Sequence, residues 1–236
     1  MTTSCSHVLL WVRDIHQAVR DYRQLGFRVD YATAEAKAQH AHIWFRRGPA
    51  IELLTAPATA KWFKWPLELA FGRGAGHRMV RWTRNEGFCD VAVAVDSDDL
   101  TGERRALAKA GIPVGRVVRW KRTKPDGAHV RFQFAYPRNE HLPFLVTPYD
   151  TPQCPPEVHH PNGAVALRQV RMAVQERDFA AVRRLVGDDP TFSLEPGERT
   201  RIRDVALEGL LTELDPTLLH GATFLSWGDE SCSKAS

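Results

Sequence analysis

The apolar positions fall into three similar blocks. His7-Val8-Leu9-Leu10-Trp11-Val12 is a short, nearly unbroken apolar run of the kind that suits a buried strand. Beyond Arg13-Asp14, the residues Ala18, Val19, Tyr22 and Leu25 recur at helical spacing, and Gly26 stops the helix. Phe27 to Tyr31 alternates and predicts a second strand. The order then returns. Asp90 to Val95 reads as a strand, Asp98 and Asp99 as N-caps, Leu100 to Ala110 as a helix, and Gly111 as its stop. A third copy runs through Gln169 to Val174, Asp178, a helix over Phe179 to Val186, and Gly187. The strand starts His7, Asp90 and Gln169 are almost evenly spaced, which marks an internal repeat.

More strands follow the first two helices. His40 to Phe45 and Ala50 to Thr55 flank a turn at Arg46-Arg47-Gly48-Pro49. Gly115 to Lys121 and His129 to Phe134 flank Lys124-Pro125-Asp126-Gly127. A last strand, Leu142 to Thr147, parallels Ala50 to Thr55. The pattern predicts an α+β chain of tandem βαβββ modules, at 1–60 and 88–150, with a truncated third unit. An irregular connection fills 61–87, a proline-rich linker 151–163, a partial βα unit with an extension 164–228, and a disordered tail 229–236. Gly72-Arg73-Gly74-Ala75-Gly76 lies in the connection and reads as a mobile loop, because it neither follows a clear strand nor opens a Lys-Ser/Thr helix.

Composition narrows the classes. The chain has 236 residues, 43% apolar and 25% charged, as an ordinary globular protein of one large or two small domains has. No apolar run reaches the ~18 residues of a membrane span. The start is short and polar, with no secretory pattern. Cys5, Cys89, Cys154 and Cys232 form no Cys-x-x-Cys motif, so the expectation is reduced thiols in the cytoplasm. The 32 Lys and Arg against 28 Asp and Glu are scattered rather than gathered in a stripe. The expected partner is a small molecule, with no nucleic acid and no membrane, and with a homodimer left open.

Several segments together resemble the vicinal oxygen chelate superfamily and its glyoxalase-like domain group. They are His7-Val8, Arg13-Asp14-Ile15, Leu25-Gly26-Phe27, Ile51-Glu52-Leu53-Leu54, Leu142-Pro143-Phe144-Leu145 and His160-Pro161-Asn162-Gly163-Ala164. The resemblance covers most of the chain. It implies that the curved sheets of two modules combine into a half-open cup. It also implies a divalent metal (Zn, Mn, Fe or Ni) held by His and Glu on the first and last strands of each module, chelating two neighbouring substrate oxygens. His7 falls on the first ligand position and Glu52 on the second. Asp90 stands where a second His is expected, and Phe144 where a second Glu is expected. The candidate metal ligands are therefore His7, Glu52 and Asp90, with Glu52 and Asp90 also the candidate catalytic groups. A cup that has lost its metal fits the same residues, and Asp90 pairing with an arginine such as Arg131 is a third reading.

Candidate substrate-binding residues are Trp11, His42, Arg131 and Phe144. His40 and His42 share one face of a strand, so either could supply a ligand or a general base. Trp44, Phe45 and Phe132 suit an aromatic wall, and the arginines beside them favour a small acid or phenolate. Two functions follow. One is a metal-dependent lyase, isomerase or dioxygenase acting on vicinal oxygens. The other is a metal-free protein that binds or sequesters a small molecule. A weaker third is an interaction domain whose last repeat covers the cup.

Overall fold

The structure is a computed structural model that describes residues 2–55, 64–72, 74–124 and 127–228. The first module holds β1 (Thr3–Trp11), α1 (Ile15–Gln24), β2 (Asp30–Tyr31), β3 (His40–Ile43) and β4 (Ala50–Leu54). Asp14 caps α1 by accepting from the N–H groups of His16 and Gln17. Ile15, Ala18, Val19 and Tyr22 form its buried face. Two helices follow, α2 (Lys64–Phe71) and α3 (Ala75–Trp82). The second module holds β5 (Gly87–Val95), α4 (Leu100–Lys109), β6 (Val118–Thr123), β7 (His129–Ala135) and β8 (Phe144–Val146). Asp99 caps α4.

The eight strands form one sheet in the order β2-β3-β4-β1-β5-β8-β7-β6. Within each module the first and last strands pair in parallel. Between modules β1 and β5 pair antiparallel, which joins the two halves about a pseudo-two-fold seam. The architecture is thus the α+β pair of βαβββ modules closing a curled sheet. Alternation along β1 divides the core. Leu9 and Trp11 belong to one apolar cluster with Leu54, Trp82, Phe134 and Phe144. Val8, Leu10 and Val12 belong to the other.

The third unit is more complete than a broken module. It comprises β9 (Ala166–Val174), α5 (Glu176–Val186), β10 (Phe192–Pro196), β11 (Arg201–Glu208) and β12 (Phe224–Ser226). These strands form a separate sheet in the order β10-β9-β11-β12. Its pairings are parallel, antiparallel and parallel. The central strands β4-β1-β5-β8 of the large sheet have the same order and the same sense. The third unit is therefore two half-modules, each reduced to its first and last strand, across a second antiparallel seam. It shares the Val8 and Leu10 core through Leu167, Val170, Met172 and Val205. It lies against the sheet face opposite Leu9 and Trp11, and so does not cover the cup.

Two local expectations change. The segment expected to be irregular contains α2 and α3. Its glycines break one helix and start the next: Gly72 and Gly74 take φ of +91° and +101°, and Glu68 accepts from the N–H groups of Gly74 and Gly76. Glycine density suggested a loop, but the apolar periodicity of Ala75, Met79 and Trp82 decides the second helix. Asp178, placed ahead of the third helix by the sequence pattern, lies inside α5, whose N-cap is Gln175. Its buried carboxylate instead accepts from Thr200 at 2.6 Å and Asn139 at 2.9 Å, which ties the third unit to the second module. The expected tail, 229–236, lies outside the described residues. Among those described, no helix is long and apolar enough to cross a membrane.

The His160-Pro161-Asn162-Gly163 segment works as a clamp. Buried His160 accepts from the Arg28 N–H at Nδ1 and donates to the Trp44 carbonyl at Nε2, both at 2.8 Å. Asn162 donates from its side chain to the Leu25 carbonyl at 2.9 Å and from its backbone to the Gly26 carbonyl at 3.2 Å. A Cβ on Gly26, whose φ is +81°, would sit 2.9 Å from the Asn162 nitrogen, so only glycine admits this approach. Losing these bonds strands buried backbone groups. His160→Ala should therefore cost about 1–3 kcal/mol in urea unfolding, whereas an unchanged midpoint would show that the clamp carries no stability.

Candidate functional site

A cavity of about 490 Å³ opens on the Leu9 face of the large sheet. One wall comes from β1, β3 and β4, the other from β6, β7 and β8, and α2 and α3 close the side. Aromatic rings dominate, with Phe71, Trp82, Trp120, Phe132, Phe134 and Tyr136 among them. Polar groups gather at one end, in His7, His40, Glu52 and Arg122. Pockets of this kind hold an apolar body and fix its orientation through a few polar contacts.

Glu52 anchors the polar end. Its two carboxylate oxygens face different imidazoles: Oε1 lies 2.7 Å from His40 Nδ1, and Oε2 lies 3.2 Å from His7 Nε2. Burial alone would raise its pKa, but the hydrogen bonds from His40 and His7 and the charges of the neighbouring histidines outweigh burial. The carboxyl is held well below its usual range and stays ionised. His42 is 3.8 Å from Glu52, buried, and stacked on Trp44 with centroids 4.8 Å apart. Burial pushes its pKa down from 6.5 to about 3 despite the pull of Glu52, so the ring is neutral.

The strand registers show what the second module does at the equivalent places. His7 stands opposite Ala92, and Leu9 opposite Asp90. Leu9 pairs with Glu52 in β4, and Ala92 pairs with Phe144 in β8. Exchanging the modules about the seam maps His7 onto Asp90 and Glu52 onto Phe144. Asp90, however, is engaged elsewhere. Its carboxylate accepts from Arg78, from Arg81 at 3.3 Å and from the Trp82 indole at 2.9 Å, all on α3. Arg78 is completely buried and also donates to the Leu142 carbonyl at 2.9 Å. Its guanidinium lies 5.1 Å from the Tyr136 ring centroid and 5.9 Å from that of Phe144.

A metal held between the modules does not fit these residues. Asp90 already carries an internal cation, and Phe144 has no donor atom. Among the described residues no three His, Cys, Asp or Glu side chains are placed to share a metal ion.

The remaining expected residues divide. Phe144 lines the cavity. Trp11 is buried in the same apolar cluster without reaching the lining, and its indole nitrogen has no hydrogen-bond partner among the described residues. His42 does not line the cavity, whereas His40, two residues away on β3, does. Arg131 faces away from the cavity, because its neighbours Val130 and Phe132 alternate with it along β7; its N–H donates to Asp150 at 2.8 Å. Asp90 pairs with Arg78 and Arg81, not with Arg131. Three participants escaped the sequence reading: Arg78, Tyr149 and Arg122. Extending the strand expected over Gly115 to Lys121 by one residue would have put Arg122 on the same face as Trp120.

Paired βαβββ modules joined edge to edge around an open cup define the vicinal oxygen chelate class. The chain belongs to the glyoxalase-like domain family, which matches residues 5–186. A hypothetical protein from Staphylococcus aureus is similar in structure at 12% identity and a TM-score of 0.68, over 94% of this chain and 98% of that one. The Mn(II)-bound glyoxalase from Novosphingobium aromaticivorans is similar at 12% identity and a TM-score of 0.51, over 91% of this chain and 68% of that one. At these identities the likeness speaks for the fold. Among curated proteins, none matches.

Two outcomes follow from the charges. Arg78→Met leaves a buried carboxylate with reduced compensation and should cost about 3–5 kcal/mol in chemical denaturation. Adding Asp90→Asn should restore part of that loss; equal destabilisation of single and double variants would refute the pairing. For His42, the folded pKa lies below the unfolded one, so below pH 6.5 the unfolded chain takes up the proton first. Stability should be level above that pH and fall between 6.5 and about 3, by at most about 1.4 kcal/mol per pH unit. His42→Asn should flatten the upper part of that decline, measured as unfolding midpoint against pH.

Proposed function

We propose that this protein binds a compact, flat, largely apolar small molecule in the cup, without a metal joining the two modules. The observation that carries this reading is the fate of the second module's half of the site. Asp90 is neutralised by buried Arg78, and Phe144 adds an apolar surface where a ligating carboxylate would be needed. The family fold supports a small-molecule cup, and the aromatic lining supports a planar occupant. Glu52 with its two histidines acts as a fixed polar end that orients the ligand. An ionised carboxylate with a depressed pKa is a weak proton acceptor, which favours recognition over proton abstraction by Glu52 itself.

The reading is tested on purified, untagged protein by elemental analysis and by thermal shift with a panel of planar aromatic compounds. We expect no stoichiometric divalent metal, and a melting-temperature rise that EDTA leaves unchanged. Phe134→Ala should reduce that rise by removing wall surface. A retained equivalent of Zn, Mn, Fe or Ni, lost in His7→Ala and needed for the ligand-induced rise, would overturn the proposal in favour of a metal-dependent enzyme.

A further inference from the structure

Arg122 stands apart from the other charged groups of the cup. It lies on β6 and shares the cavity face with Trp120, two residues away. One terminal nitrogen donates to Gln153 Oε1 at 2.7 Å, and the Gln153 amide is itself oriented by donating to the Thr151 carbonyl at 2.8 Å. The Arg122 Nε is buried and, among the described residues, has no hydrogen-bond partner. Among the described residues no carboxylate pairs with this guanidinium. Glu52, by contrast, has both oxygens occupied by histidine donors. The lining therefore carries a guanidinium that faces no carboxylate, and what it asks for is an acceptor, because arginine has donors only.

Resting on the metal-free cup proposed above, we infer that its ligand is an aromatic anion, a carboxylate or phenolate whose oxygen accepts from Arg122 while its ring lies among Trp120, Phe132 and Phe134. Gln153 holds one terminal nitrogen of the fork, so the oxygen is taken at the other. Tyr149 also lines this end, with its ring 4.9 Å from that of Phe132. Burial raises its pKa, and its hydroxyl stays protonated and able to donate to the same oxygen. The charge on Glu52 does not oppose the anion directly, because His7 and His40 stand against its oxygens. A ligand cation would instead face Arg122 with no partner for either.

Isothermal titration with 2-naphthoate and with its neutral amide, 2-naphthamide, tests the assignment. The parent protein should bind the carboxylate at least about tenfold more tightly than the amide, as a charge-assisted contact requires. Arg122→Gln should weaken the carboxylate by about tenfold and leave the amide within about twofold, and Arg122→Lys should recover part of the loss. Gln153→Ala, which keeps the charge but frees the fork, should fall between parent and Arg122→Gln. Circular dichroism establishes that each variant is folded. If both compounds bind the parent equally and Arg122→Gln changes neither, the anion assignment fails and the cup reading survives. If neither compound binds at millimolar concentration, both fail.

Discussion

The antiparallel pairing of β1 with β5 is the contact from which the rest of the molecule follows. Each module alone would leave its first strand as an open edge beside the parallel-paired last strand. Joining the two edges removes both, sets the pseudo-two-fold relation, and fixes which side chains are equivalent. The two-fold rotation carries the pair His7 with Ala92 onto the pair Leu9 with Asp90. A slip by one residue would turn Leu9 and Trp11 out of the cup cluster and Val8 and Leu10 out of the core. The same solution is used again in the third unit, where β9 and β11 form a second seam. The two sheets pack with their four-strand motifs facing one core, so the third unit supports the cup from behind.

The seam is symmetric but the chemistry on it is not. On one side, Glu52 keeps its charge through imidazole partners and remains at the cavity. On the other, Asp90 pairs with Arg78 and is sealed beneath α3. A buried carboxylate needs a counter-charge, and here the chain brings its own. That choice has a geometric consequence. The helix that delivers Arg78 also delivers Ala75, Met79 and Trp82 to the cavity wall. The connection between modules thus occupies part of the second module's half of the cup, and what is left open is an apolar slot with its polar end on the first module and β6.

Much of this was legible in the chain because repeats and alternation are local signals. The repeated strand starts at His7, Asp90 and Gln169, the cap at Asp99 and the stops at Gly26 and Gly111 are each carried by a few neighbouring residues. The turn at His160 to Gly163 was also legible as a structural feature. What stayed hidden depended on tertiary partners. Gly72, Gly74 and Gly76 suggested a loop, and only Glu68 bonding to the backbone N–H groups of Gly74 and Gly76 shows how a helix starts there. Asp90 read equally well as a ligand or as an ion-pair partner, because nothing local says that Arg78, on the far side of a turn, is the cation. Arg131 and Arg122 both sit in basic, aromatic-rich strands. Phe132, already assigned to the pocket, forces Arg131 outward by alternation, whereas Trp120 brings Arg122 in. The third unit's separate sheet was not legible, since a truncated repeat does not reveal whether it extends a sheet or builds another.

The cost of each buried charge then decides how the site is divided. The Asp90 carboxylate is taken up by Arg78 and Trp82, and Arg78 also donates to the Leu142 carbonyl. The Glu52 carboxylate is taken up by His7 and His40 on the first module, with His42 kept neutral by burial. The aromatic walls between them add area but little direction, because dispersion and hydrophobic contact are non-directional. Orientation within the cup must then come from a group with capacity to spare. In the proposed reading that group is Arg122, held at one arm by Gln153 and facing no carboxylate among the described residues. The selectivity proposed for the cup accordingly rests on an edge strand of the second module, away from His7 and Glu52.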